Sequence, residues 1–191
     1  MRILSCLSAL ALLCGSPTQA ATPTFDLFQK FCIDGHASAA QALAKANDAG
    51  WAPAPAEFVG WLHGIGDSRM LGDPAARMKT EASSTFVLTV LKSERGVAGE
   101  AVPTDVCGIA LTPGDGADLR RDAAGYANVE PTANLVDRKT ALAYAWRSQG
   151  SAHIPISAED VRQGNAGPDS VILLVDGHDD AISVSLLVPS K

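Results

Sequence analysis

One serine in this sequence has the surroundings of a catalytic nucleophile. Ser68 closes the triplet Gly66-Asp67-Ser68 and is followed at the fourth position by Gly72, within the stretch GIGDSRMLGD. A serine hydroxyl becomes an effective nucleophile only when a base, usually histidine, is held against it. The first question is therefore whether one of the four histidines can serve Ser68.

The spacing G-D-S-x-x-x-G resembles the nucleophile block of the GDSL/SGNH hydrolases, in which the serine attacks an ester. That resemblance implies a histidine in a D-x-x-H block near the C-terminus, a G-x-N-D block and a parallel sheet. The residues that stand three positions before the histidines are Ile33, Gly60, Gly150 and Val175, so none is aspartate. The alternative interpretation of Gly66-Asp67-Ser68 is a turn, because these residue types favour turns.

A second set of residues has the chemistry of a metal site. The tripeptide Asp-Gly-His occurs at residues 34–36 and again at 176–178, where it continues into Asp179. Because aspartate and histidine are common ligands of divalent ions, a site would form if the two tripeptides met. The candidate ligands are His36, Asp176, His178 and Asp179. The alternative is structural, since Asp-Gly favours turns and both tripeptides fall where a turn is needed.

The remaining residues of chemical interest form no complete set. The glutamates are scattered singly, so no acid pair for glycoside cleavage can be assigned. His63 and His153 are interpreted as packing or surface residues. The tryptophans are interpreted as core residues, with the alternative that one of them lines a pocket: Trp51, Trp61 and Trp146. The sequence predicts no cofactor, and it does not favour an enzyme.

The N-terminus has the organisation of a secretory signal peptide. Arg2 precedes an apolar stretch, and small residues at Thr18 and Ala20 predict cleavage after Ala20. The apolar stretch is shorter than the roughly 20 residues that a membrane-spanning helix needs. We therefore expect a signal peptide at residues 1–20, a single domain at 21–191, and a periplasmic or secreted mature chain without a transmembrane segment.

Charge and cysteine content agree with export. The formal net charge of −6 becomes −7 when Arg2 is removed, which gives no support for nucleic-acid binding. Cys6 and Cys14 lie in the signal, so Cys32 and Cys107 remain. In an exported chain this pair predicts a disulfide, which would close a loop of 75 residues. Free thiols are the alternative.

The hydrophobic periodicity predicts an α+β fold. Apolar residues at helical spacing predict N-terminal helices between Phe25 and Gly50, with a capping box at Ser38 and Gln41. Alternating or continuously apolar stretches predict strands around residues 76–82, 84–94, 104–112 and 140–147, and a hairpin at 170–189. At 140–147 the alternating alanines leave a helix as the alternative. Short connections favour antiparallel pairing. We expect an antiparallel sheet of about five or six strands with the N-terminal helices packed mostly on one face.

Four stretches, FQKFCIDG, ALAKANDAGW, RMKT and VCGIAL, resemble a loose group of small exported proteobacterial proteins without an assigned function. The resemblance agrees with the cysteine pair and transfers neither an activity nor a catalytic residue. The leading hypothesis is an exported, non-catalytic binding or interaction module, of which the ligand or partner is unknown. The alternatives are a GDSL/SGNH-like serine hydrolase that uses Ser68 and a metal-binding envelope protein.

Overall fold

The fold is taken from a computed structural model, which describes residues 21–64, 70–94, 102–114 and 116–190. The expected signal peptide at 1–20 and Ser68 both lie outside these residues. Within them, no helix is long and apolar enough to cross a membrane.

One antiparallel sheet organises the chain, and its strands follow the spatial order β1-β2-β3-β4-β8-β7-β5-β6. The described residues contain eight strands, which are Ala52–Pro53 (β1), Ala75–Glu81 (β2), Ser84–Ser93 (β3), Thr104–Thr112 (β4), Ala141–Gln149 (β5), Ala152–Pro155 (β6), Ser170–His178 (β7) and Ala181–Pro189 (β8). Every neighbouring pair is antiparallel. The expected α+β class and the antiparallel sheet are confirmed.

The expected number of five or six strands is wrong, because the two edge strands are too short to show a strand pattern in the sequence. β1 has two residues and β6 has four, so neither is long enough to show an alternation of period two. Each also contains a proline, Pro53 or Pro155, which argues against an interior strand. Short, proline-containing strands at both edges limit pairing with other chains.

The helical segments connect or flank this sheet. Their bounds are Pro23–Phe28 (α1), Ala39–Asp48 (α2), Ala56–Gly64 (α3), Gly116–Ala127 (α4) and Ala158–Arg162 (α5), and a π-helix occupies Gln29–Ile33. The first predicted helix is therefore only partly right, since it changes from α to π after Phe28. The predicted cap of α2 is present: the Ser38 hydroxyl accepts a hydrogen bond from the Gln41 amide at 3.5 Å.

One face of the sheet, here called the helical face, is covered by α1, the π-helix, α2 and α4. Register along the strands places on it the buried side chains of Leu88, Ile109, Val184, Leu173 and Tyr144. The α1 helix packs on β4 and β8, the α2 helix on β2, β3 and β4, and the α4 helix on β5, β7 and β8. These contacts build the larger core of the protein.

The other side of the sheet, here called the opposite face, has a much smaller core. Ala145 and Ile172 pack there with Ile156 and Ala166, which lie before and after α5. Elsewhere along the same face, Leu174 and Ser185 are only half-buried. Three further residues of this face are buried outside the cluster, namely Ala76, Val87 and Ala143. The two faces of one sheet thus receive different amounts of cover.

A disulfide joins the helical layer to the sheet. Cys32 in the π-helix is bonded to Cys107 in β4, as predicted, and both residues are fully buried. In the chain-entropy account, closing a loop of this length stabilises the fold by about 4 kcal/mol. The bond also fixes where the π-helix stands on the helical face.

Candidate ligand-binding pocket

A cavity of about 270 Å³ opens between the N-terminal helical segments and the end of the β2–β3 hairpin. Side chains from α1, the π-helix, the segment after α2 and both strands surround it. The lining residues are Pro23, Asp26, Leu27, Lys30, Trp51, Lys79, Glu81 and Phe86. Apolar side chains thus meet four charged ones at a single surface depression.

The helical wall of this pocket is set by the way α1 begins and by the face it buries. The Thr22 hydroxyl caps the helix by accepting a hydrogen bond from the Phe25 amide at 3.3 Å, and Pro23 occupies the first turn. Phe25 and Phe28 turn toward the core. Because those two positions face inward, the intervening Asp26 is left exposed on the pocket side.

The π-helix carries the second charged residue of this wall. Asp34 donates its amide hydrogen to the Gln29 carbonyl at 3.0 Å, the five-residue step of a π-helix. The Lys45 ammonium donates to the Lys30 carbonyl at 2.8 Å and so ties the Lys30 backbone to α2. With Cys32 bonded to the sheet two residues later, Lys30 stands on a segment that is fixed from both sides.

Two aromatic side chains form the floor. Gly50 adopts a φ of 76°, and this left-handed turn ends α2 so that the Trp51 amide donates to the Ala46 carbonyl at 3.0 Å. The Trp51 ring meets Phe31 edge-on, with 5.1 Å between centroids, and lies 6.5 Å from the Phe86 ring. Trp51 is 4% exposed and Phe86 7%, so only a small part of each residue faces the cavity that they line.

The strand wall is formed by alternate residues of β2. Lys79 and Glu81 are two positions apart, so they point to the same face, and their charged groups pair at 2.7 Å. On the helical wall, neither Asp26 nor Lys30 forms an ion pair within the described part of the chain. The Lys30 ammonium instead lies 5.6 Å from the centre of the Phe31 ring. The four charges sum to zero; Lys79 and Glu81 form an ion pair, whereas Asp26 and Lys30 do not.

The eight lining residues include neither a hydroxyl or thiol nucleophile nor a histidine. Their chemistry is that of binding: ring and aliphatic carbon for apolar groups, ammonium groups for anions, and carboxylates for cations. The sequence interpretation allowed that one tryptophan lines a pocket, and Trp51 does so.

Ser68 lies outside the described residues, together with Gly66 and Asp67. The structure describes the chain again from Met70, which forms an isolated bridge with Ser93, and Gly72 adopts a φ of 79°. Both the hydrolase hypothesis and the turn interpretation of this triplet therefore stay predictions.

The candidate metal ligands occupy three different settings. Asp176 accepts hydrogen bonds from Arg138 at 2.7 Å and from Thr140 at 3.1 Å. His178 and Asp179 pair with each other at 2.9 Å on the exposed tip of the β7–β8 hairpin. His36 is exposed after the π-helix, with a φ of 48°. Across the described residues, no group of three or more histidine, cysteine, aspartate or glutamate side chains is placed to hold a metal ion.

His153 belongs to an aromatic cluster at the other end of the helical face. Its imidazole stacks on Trp146 with 4.7 Å between ring centroids, and its Nδ1 lies 2.7 Å from the Ala127 carbonyl oxygen at the end of α4. This geometry indicates an N–H donated to the carbonyl. His153 is thus a packing residue, as the sequence interpretation expected, while the side chain of His63 lies outside the description.

Sequence analysis did not single out the four charged residues of the pocket. Two local signals point to them in retrospect: Asp26 and Lys30 are four apart in a helical segment, and Lys79 and Glu81 alternate along a strand. Such spacings are common on solvated surfaces, and only the fold shows that the two pairs face each other. Comparison of the chain with family models, curated proteins and solved structures finds no match.

Proposed function

We propose that this chain is an exported, non-catalytic binding module whose ligand site is the pocket between α1 and the β2–β3 hairpin. The observation that carries the proposal is the pocket itself, which combines an aromatic floor with a charged rim. Small-molecule sites are typically concave and largely apolar, with a few polar groups that orient the ligand.

Export is the second part of the proposal. The signal-like residues 1–20 support it, and so does the Cys32–Cys107 disulfide, because disulfides persist mainly in oxidising compartments. Mass spectrometry of the protein recovered from the periplasm or the medium should give a chain that begins at Ala21 and has lost two hydrogens to the disulfide. Recovery of the uncleaved chain in the cytoplasm alone would contradict export.

The dimensions of the pocket restrict the ligand to a small molecule. Its volume of about 270 Å³ falls just below the range of about 300–1,000 Å³ that is usual for drug-sized ligands. We therefore expect a ligand of about the size of one amino acid, with an apolar group placed over Trp51 and Phe86. A long polymer would leave most of its surface outside this site.

Calorimetric titration of the mature, oxidised protein (residues 21–191) tests the site with two probes, L-phenylalanine and its neutral derivative N-acetyl-L-phenylalaninamide. At least one probe should bind with a dissociation constant on the order of 1 mM or tighter, about 4 kcal/mol of binding free energy. Leu27→Trp should weaken that binding by about tenfold or more, because the larger side chain fills a cavity of amino-acid size.

Ile154→Trp is the matched control, because Ile154 is 44% exposed and does not line the pocket. It adds the same side chain and should leave binding unchanged. If Leu27→Trp disturbs the fold, Glu81→Trp fills the cavity from the strand wall, where the glutamate side chain is 56% exposed. Absence of heat with both probes, or equal binding by filled and unfilled variants, would contradict this site.

A further inference from the structure

We infer that the pocket recognises a zwitterion, namely an α-amino acid or an equally small molecule that carries an ammonium, a carboxylate and a large apolar group. This inference rests on the proposed function, since it names the ligand class of the same site. It starts from the helical wall, where a carboxylate and an ammonium line the same cavity without ion-pair partners in the described chain.

The two charged residues of the helical wall suit a ligand that carries both charges. Asp26 lies in α1 and Lys30 in the π-helix that follows it, and both line the cavity. They form no ion pair with each other, so a ligand with both charges can be placed between them. In an α-amino acid the ammonium and the carboxylate are bonded to the same carbon, so one such group can meet Asp26 and Lys30 together.

The ion pair on the strand wall favours a ligand without net charge. Lys79 and Glu81 already neutralise each other at 2.7 Å, so that wall offers neither a free cation nor a free anion. A ligand with net charge would therefore leave one group of Asp26 or Lys30 facing a like charge or water. A dipolar ligand of zero net charge satisfies both groups at once.

The floor accounts for the apolar part of the ligand. Trp51 and Phe86 line the cavity between the two charged walls, so an aromatic or branched aliphatic side chain of the ligand can pack against them. The direction of the ligand follows: its α-carbon faces α1 and the π-helix, and its side chain points toward the rings.

Four probes separate the contributions of the two charges. L-phenylalanine carries both charges, N-acetyl-L-phenylalanine only the carboxylate, L-phenylalaninamide only the ammonium, and N-acetyl-L-phenylalaninamide neither. Each is titrated calorimetrically into the mature, oxidised protein. L-phenylalanine should bind about tenfold more tightly than the neutral probe, because two exposed ion pairs each contribute about three- to fivefold.

Two variants assign each charge to its partner. Asp26→Asn should weaken the two probes with an ammonium by about three- to fivefold and leave the other two unchanged. Lys30→Gln should do the same for the two probes with a carboxylate. Asp48→Asn and Lys139→Gln are the matched controls, because both residues are exposed and neither lines the pocket. Neither control should distinguish among the probes.

The outcomes separate this inference from the proposed function. If all four probes bind equally and Leu27→Trp still abolishes binding, the pocket is a ligand site and the zwitterion assignment is wrong. If Asp26→Asn and Lys30→Gln affect every probe alike, the two side chains do not recognise the charged groups of the ligand. The zwitterion assignment is then wrong too. If no probe binds, both the site and its ligand class are overturned.

Discussion

The two faces of the sheet differ in how completely they are covered, and β7 shows the difference between adjacent residues. Leu173 lies on the helical face among aromatic and aliphatic side chains and is fully buried. Ile172 points the other way, into the small cluster beside α5, and is 6% exposed. Leu174, two residues after Ile172, points to the same side and is only half-buried.

Everything that the candidate site needs is on the helical side. The α1 helix, the π-helix, the disulfide and the aromatic floor are all parts of one packed layer. On the opposite face, the described residues form one small cluster of four buried residues at the β5–β7 end, and other residues of that face, such as Val87, are buried outside it. We therefore expect substitutions on the helical face to affect both stability and ligand binding, and substitutions on the opposite face to affect stability less.

Removing the disulfide should have the largest effect. Cys32→Ala combined with Cys107→Ala should lower the free energy of unfolding by about 4 kcal/mol, since the unfolded chain regains the freedom that a closed loop of 75 residues lacks. Urea denaturation of the oxidised protein and of the double variant measures the difference. A loss below about 1 kcal/mol would contradict the view that this bond anchors the helical layer.

Truncation of the two neighbours on β7 compares the faces directly. Leu173→Ala should cost about 3 kcal/mol and Ile172→Ala about 2 kcal/mol, because the cost of a large-to-small change depends on how completely the site is packed. Both variants remove side-chain carbon from the same strand, so each is the other's control. Equal losses in urea denaturation would show that the two faces contribute equally.

The smallest effect concerns pH and reports on the helical side alone. The chain has two tyrosines, and burial raises the pKa of both above the ordinary 10.0; Asp34 adds to the effect at Tyr126 and Glu130 at Tyr144. Ultraviolet titration of the folded protein should therefore show phenol ionisation only above pH 10. Tyr126→Phe should remove one of the two transitions.

The sign of the linkage to stability follows from the direction of these shifts. Because both folded-state pKa values are raised, the stability that the neutral phenols contribute is fully present below about pH 10, the unfolded value. It is lost as the pH rises through the folded-state pKa values. A tyrosine that ionised at or below pH 10 in the folded protein would contradict its burial on this side.

Much of the sheet could be predicted because its strands obey the rule of alternate faces. In β8, Ile182, Val184 and Leu186 face the large core, while Ser183 and Ser185 face away, as their spacing indicates. In β7 the apolar stretch is continuous because both sides of the strand are covered near α5. The hydrophobic pattern of each strand therefore indicates whether one or both of its faces are buried.

The candidate site was harder to predict because it depends on distant contacts. The sequence predicted a helix through residues 29–33, but the five-residue step at Asp34 places Lys30 and Cys32 on a π-helix. Nothing in the local spacing of Lys79 and Glu81 shows that their strand end faces α1. Only the disulfide, predicted from the cysteine pair, indicated that this helical segment is fastened to the sheet.

The central claim is that ligand binding belongs to the helical side. Its most direct test is a titration of the ¹³C-methyl-labelled, oxidised protein with L-phenylalanine, followed through side-chain methyl chemical shifts. The methyl groups of Leu27 in the pocket should move in a saturable way, while those of Ile172 and Leu174, whose side chains point to the opposite face, stay in place. Saturable shifts confined to the opposite face, or no shifts at all, would contradict the claim.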